Sequence, residues 1–177
     1  SVASSADGTK LAAVVYGGQI YISTDSGGTW TPRETFRNWL SVASSADGVK
    51  LVAATYGYQL YTSADSGETW TAREYDRNWQ SVASSADGTR LVAAMDGGQI
   101  CISADSGATW MIQASNRGWQ SVASSADGTR LVAVGNDARI YTTCASVTGP
   151  QGTTAAAQYL GAGVWQRQVN GTTTIDG

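Results

Sequence analysis

Ser41-Val42-Ala43-Ser44-Ser45-Ala46-Asp47-Gly48 decides the fold, because the same eight residues stand at Ser1, Ser81 and Ser121, always forty residues apart. Self-similarity at a fixed period of this size marks a chain built from stacked copies of one supersecondary unit. Ala46-Asp47-Gly48 reads as a tight hairpin, since Gly takes positive φ at no steric cost. Strand-forming residues flank it: Ser41 to Ser45 before the turn and Lys50 to Tyr56 after it. Working outward, every copy has this first apolar run (Lys10 to Tyr16, Lys50 to Tyr56, Arg90 to Met95, Arg130 to Val134) and then a break. A second run follows at Gln19 to Ser23, Gln59 to Ser63, Gln99 to Ser103 and Arg139 to Thr142.

With a further strand beginning at Trp70, each copy carries four short strands, A to D. Within strand B, Leu51, Ala53 and Thr55 alternate with Val52, Ala54 and Tyr56, and both sets are largely apolar. A sheet covered on both faces requires that pattern. Helical periodicity is absent, so forty residues with four strands is the period of a β-propeller blade. The expected architecture is all-β: four blades at about 1–40, 41–80, 81–120 and 121–177, forming one domain over 1–177, as a four-bladed propeller or half of a larger ring.

Between strands C and D lies Ser23-Thr24-Asp25-Ser26-Gly27-Gly28-Thr29-Trp30, repeated at Ser63 to Trp70 and Ser103 to Trp110. The Ser-x-Asp-x-Gly-x-Thr-Trp string resembles the BNR or Asp-box motif of sialidase-type and related propellers, and the resemblance covers roughly residues 1 to 144. A calcium ligand or catalytic acid is one reading of Asp25, Asp65 and Asp105. The resemblance implies the other, a structural turn remote from the ligand face, in which the carboxylate accepts backbone N–H bonds and Trp30, Trp70 and Trp110 pack between sheets.

The fourth copy departs from the pattern. Where an Asp-box is due, it reads Cys144-Ala145-Ser146-Val147-Thr148-Gly149-Pro150, and an insertion occupies about 146–163. Val164 to Val169 is expected to be a delayed strand D, with Trp165 standing in for Trp30 and Ala155 to Leu160 pairing with it as a hairpin. Terminal repeats are commonly atypical because they cap or close an array.

Bulk properties narrow the function. The net charge of −3 gives no basic field to recruit nucleic acid or an anionic membrane, and no apolar run reaches the length of a membrane helix. Ser1 opens directly on a repeat, as in a processed or trimmed chain, and a secreted or cell-surface location is expected. Histidine is absent and there are two cysteines, which excludes Ser–His–Asp and Cys–His catalysis and His-based metal sites within this sequence. Cys101 takes the strand position of Tyr21, Tyr61 and Tyr141, and either a disulfide with Cys144 or two free thiols fits. No cofactor or metal is expected.

Candidate ligand residues fall on two sets of loops expected to share the top face. The D-to-A segments carry Arg37 with Trp39, Arg77 with Trp79, and Arg117 with Trp119. Each pair suits stacking on a sugar or anchoring a protein, since Trp and Arg are enriched in interface hot spots. Equally, each Trp can wedge between blades while the Arg covers a ring or pairs with an acid. The B-to-C loops vary more and contribute Tyr16, Tyr56, Tyr58 and Asp96. A sialidase-like reading needs a dissimilar set of acids and arginines converging on one sugar. Arg37, Arg77 and Arg117 are instead generated by the repeat, so no enzymatic activity is expected. The expected function is a structural or interaction module binding a protein partner or itself as a homo-oligomer or filament. The alternative is a lectin-like propeller binding glycans through multiple weak sites.

Overall fold

The computed structural model describes residues 1–114 and 116–143 in full and the backbone of 165–169 and 172–175. Every regular element among them is a strand: β1 (Val2–Ser4), β2 (Leu11–Val14), β3 (Tyr16–Ser23), β4 (Thr31–Ser44), β5 (Leu51–Ser63), β6 (Thr71–Ser84), β7 (Leu91–Met95), β8 (Ile100–Ser103), β9 (Met111–Ile112), β10 (Trp119–Ser124), β11 (Leu131–Gly135), β12 (Ile140–Thr143), β13 (Trp165–Val169) and β14 (Thr172–Ile175). Each is antiparallel to the next from β1 to β9 and again from β10 to β14. This is the topology that tight turns between short strands impose.

The expected D-to-A loops are absent from the first two crossings. Strand D of one repeat runs on as strand A of the next inside the single fourteen-residue strands β4 and β6. The first half of β4 pairs with β3 and its second half with β5, and β6 bridges β5 and β7 in the same way. At each crossing one extra residue enters the ladder, between Trp39 and Ser41, Trp79 and Ser81, and Trp119 and Ser121. A bulge of this kind bends the strand and re-aims its side chain. Here it turns the indole into the gap between consecutive sheets.

Those gaps are the core. Trp39 packs with Ala12, Val14, Ile20 and Ile22 of the first repeat and Val42, Leu51, Ala53 and Tyr61 of the second. Trp79 joins the second repeat to the third, and Trp119 the third to the fourth. Two ladders of hydrogen bonds run across the same junctions with the forty-residue period. The Ala6 amide donates to the Ala46 carbonyl, Ala46 to Ala86 and Ala86 to Ala126, each at 2.7 Å. The Val42, Val82 and Val122 amides donate to the hydroxyls of Ser1, Ser41 and Ser81.

The turn from strand C to strand D is built identically three times. The Ser23 hydroxyl donates to Asp25 and accepts from the Gly27 amide, while Asp25 accepts from both the amide and the hydroxyl of Thr29. The same bonds recur around Asp65 and Asp105. Lys10 Nζ reaches the Ser66 hydroxyl of the next repeat, and Lys50 reaches Ser106, so the second and third turns also clasp their predecessors.

In the fourth repeat β13 pairs with β12, and Trp165 lies opposite Thr143. The other edge of β13 is taken by β14. The expected pairing of Ala155 to Leu160 with Val164 to Val169 involves residues outside those described. The segment 146–163 and Cys144 lie outside the described residues.

Candidate functional site

Along one rim of the array, the turns between strands B and C meet the ends of the D strands. Tyr16 pairs with Asn38 and Gly18 with Arg37; one repeat on, Tyr56 pairs with Asn78 and Tyr58 with Arg77. The ladder from Ile20–Arg33 to Gly18–Arg37 sets four steps of β4 against two of β3, and the same mismatch recurs between Leu60–Arg73 and Tyr58–Arg77. The surplus residues bulge outward. Glu34 and Glu74 take left-handed backbone with φ of 59° and 60°, and the Gln19 and Gln59 amides hold their carbonyls at 2.8 and 3.0 Å. Phe36 and Tyr75 are thereby thrown out to 73% and 76% exposure.

The aromatic residues expected at this rim divide into two groups. Tyr16, Tyr56 and Tyr58 are exposed, Tyr16 to 65%. Trp39, Trp79 and Trp119 are buried to 1% or less, so their candidacy as ligand contacts is corrected: the bulge that ends each D strand sends the indole into the inter-sheet core. The Trp39 and Trp79 indole N–H groups donate inward to the Thr35 and Tyr75 carbonyls.

Each arginine reaches the neighbouring repeat. Arg37 lies over the Tyr61 ring at 4.8 Å and the Tyr58 ring at 5.6 Å, with Glu34 at 4.0 Å. Arg117 stacks over Tyr141 at 4.8 Å and pairs with Asp137 at 3.6 Å, while Tyr141 donates to Asp137 and Arg139 stands 3.7 Å away. The Tyr141 hydroxyl is the first cause holding the Asp137 carboxyl below its ordinary range, with both arginines adding to it. Arg77 finds no ring at the corresponding place, where Cys101 replaces tyrosine, and its guanidinium donates to Met95 Sδ at 3.8 Å. Cation–π contact of this sort draws a guanidinium to the face of the ring. Asp96 is half-buried, its amide tied to the Asn78 carbonyl at 2.9 Å.

Asp25, Asp65 and Asp105 spend their lone pairs inside their own turns. The threonine hydroxyl two residues after each Gly, first among the causes, brings all three carboxyls down to about 2. Of the turn tryptophans, Trp70 and Trp110 pack against the preceding junction and Trp30 is exposed. Cys101 is a buried free thiol that burial pushes up to about 11, a state in which thiolate chemistry is suppressed. A cleft of about 40 Å³ lies between the third and fourth repeats, lined by Arg90, Leu91, Ile102, Gln113, Leu131 and Thr143. The corresponding space between the first and second repeats, which Ser66 helps to line, is about 10 Å³.

Phe36 and Tyr75 are the residues that sequence reasoning passed over. Their signal was an aromatic just ahead of the Arg-Asn-Trp string; what hid it was a bulge created by left-handed Glu34 and Glu74, a conformation without a strong sequence mark.

Solved structures share this arrangement at low sequence identity. The chain is similar to an ancestral GH74 enzyme (TM-score 0.67, 17% identity, covering 80% of this chain and 22% of that one). It is similar to YCF48 bound to a D1 peptide (TM-score 0.63, 17% identity, 96% and 53%). It is also similar to the Swd1 β-propeller domain of Myceliophteria thermophila (TM-score 0.68, 16% identity, 81% and 51%). The architecture is that of a β-propeller. No protein-family model and no curated protein matches the sequence. At these identities the likeness to propellers concerns fold alone. The chain spans about half of YCF48 and of the Swd1 domain, and about a fifth of the GH74 enzyme.

Proposed function

We propose that the chain is a non-enzymatic, extracellular propeller module of four blades, three of them with Asp-box turns, four-bladed in itself or half of a larger ring, whose rim binds a protein partner. One observation carries the reading: Tyr16, Phe36, Tyr56, Tyr58 and Tyr75 are large, exposed rings on adjoining turns and bulges of consecutive repeats. Clustered exposed aromatics are costly in water and are the residues from which interface hot spots are made. Arg37 and Arg77 pair with positions in or beside those turns and add directional donors for peptide carbonyls or carboxylates. YCF48, named as bound to a D1 peptide, offers a precedent for a peptide bound by a protein of similar fold.

A lectin-like reading draws on one specific feature, the repetition of Tyr16 and Tyr56 at the same turn position forty residues apart. Equivalent rings suit stacking on successive sugars. A glycosidase reading has less support, since the rim acid Asp137 is held by Tyr141, Arg117 and Arg139.

Binding of a displayed peptide library and a glycan array to the purified chain tests the reading, alongside a Phe36→Ser/Tyr58→Ser/Tyr75→Ser variant. The expected result is peptide binding that falls at least tenfold in the variant, whose unfolding curve stays in place. Glycan binding without peptide binding would replace this reading with the lectin. Hydrolysis of an aryl glycoside would overturn both.

A further inference from the structure

An aspartate followed by glycine can react with its own backbone. The glycine amide nitrogen attacks the aspartate Cγ, water leaves and a cyclic imide forms, and glycine has no Cβ to shield the nitrogen. Two groups must be free for this to happen: the amide N–H and the carboxyl that swings onto it. Among the described residues the pair stands at Asp7-Gly8, Asp47-Gly48, Asp87-Gly88, Asp96-Gly97 and Asp127-Gly128. Asp96-Gly97 turns strand B into strand C, and the others are hairpins between strands A and B.

In the A–B hairpins both groups are occupied. The Gly8, Gly48, Gly88 and Gly128 amides donate to the carbonyls of Ser5, Ser45, Ser85 and Ser125 at 3.1, 3.0, 3.0 and 2.9 Å. The hydroxyls of the same serines donate to Asp7, Asp47, Asp87 and Asp127, which also accept from the amides of Thr9, Val49, Thr89 and Thr129. Such Asx turns hold a carboxylate on neighbouring backbone N–H groups. The serine hydroxyl, first among the causes, keeps all four carboxyls below their ordinary range, and an ionised carboxylate is a poor target for a nucleophile. At the third B–C turn neither group is occupied. Among the described residues the Gly97 amide donates to no acceptor, and the Asp96 carboxylate has no hydrogen bond or ion pair. Gly97 is exposed with φ of 66°, and no heavy atom lies within 4 Å of the place a Cβ would take, so the turn has room to rearrange.

We infer that Asp96-Gly97 is a site of spontaneous aspartate isomerisation in the folded protein, and that the fold protects the A–B hairpins from the same reaction. The Gly97 nitrogen bonds to the Asp96 Cγ, and its proton leaves with the carboxyl hydroxyl as water. A second water then opens the imide. Opening at the Cγ carbonyl restores aspartate; opening at the main-chain carbonyl routes the backbone through Cβ and Cγ and leaves a free α-carboxylate, which is isoaspartate. Water is the only co-reactant. The product adds one methylene to a turn fixed by the Asp96 amide on the Asn78 carbonyl and the Gly98 amide on the Met95 carbonyl, so the rim of the third repeat changes with age. The chemistry is the same whatever the rim binds.

Peptide mapping of the intact chain after prolonged incubation near neutral pH tests this, with chromatography and electron-transfer fragmentation separating isoaspartate from aspartate at unchanged mass. Isoaspartate should accumulate at Asp96 at least about tenfold faster than at Asp7, Asp47, Asp87 or Asp127, because each of those must first give up its hydrogen bonds. In urea above the unfolding transition the rates should converge, since the reacting pair is the same everywhere. Asp96→Glu, with its urea midpoint confirming the fold, should remove the signal from this turn, because the longer side chain closes a larger and slower ring. Equal rates at Asp96 and the hairpin aspartates in the folded chain overturn the inference. So does a preference for Asp96 that persists undiminished in urea, which would make local sequence and not the fold its cause.

Discussion

The first and second repeats carry nearly the same sequence yet live in different environments. Val42 is buried against Ala12, Val14, Ile20 and Ile22, and Val2 at the identical motif position faces water. Trp70 packs on the junction before it, whereas Trp30 is exposed. Gly67 touches Ile22 of the preceding repeat, while its counterpart Gly27 lies against Leu11 of its own. Burial in this molecule is a property of the junction and not of the repeat. Stability is then a sum of unit and nearest-neighbour contributions, as in other stacked repeats.

The sharpest way to break this comparison is to remove an interior wedge. Trp79→Ala empties the centre of the second junction and should cost about 3–5 kcal/mol in urea unfolding, the range for large aromatic deletions. A loss that small surface substitutions could match would mean the indole is not the wedge. Next in size, Val42→Ala should destabilise by about 2 kcal/mol while Val2→Ala stays near zero, since only the first loses a buried side chain. Equal effects would show that the repeats are stabilised internally.

Gly67→Ala and Gly27→Ala probe the same contrast through the backbone. Both sites have left-handed φ, 85° and 88°, so both substitutions carry the penalty of about 1–2 kcal/mol for an L-residue there. A methyl at Gly67 would also stand 2.6 Å from Ile22 Cδ1, against 3.5 Å from Leu11 at Gly27, so Gly67→Ala should lower the melting temperature further.

The smallest effect per residue is acid titration, where the comparison should vanish. Asp25, Asp65 and Asp105 are all held at about 2 from an ordinary 3.8 by bonds inside their own turns, so carbon NMR should find them titrating together regardless of neighbours. Because their folded values lie below the unfolded one, their contribution is complete above about pH 4 and is lost as pH falls through about 2. The urea midpoint should be flat above that window and decline within it.

Much of the fold was legible because turns and strand alternation are local. Ala46-Asp47-Gly48 made its hairpin, and Trp165 returned to the ladder opposite Thr143 despite the long insertion. The rim was legible only in part. Tyr16, Tyr56 and Tyr58 sit on turns that the Gly positions announce, whereas Phe36 and Tyr75 depend on a bulge with no Gly or Pro to mark it. The Arg–Trp segments read as loops because Asn and Arg are polar. The first two fold as continuous strands because each side of the crossing finds a different partner strand.

Sequence alone determined the period, the strand order within a repeat and the self-sufficient Ser-x-Asp-x-Gly turns, since each follows from residues within a few positions of one another. Tertiary structure alone decided which of two identical valines is buried, which aromatics face water and where the arginines rest. Those outcomes depend on the neighbour across a junction, and identical letters cannot tell an interior sheet from one whose outer face is open.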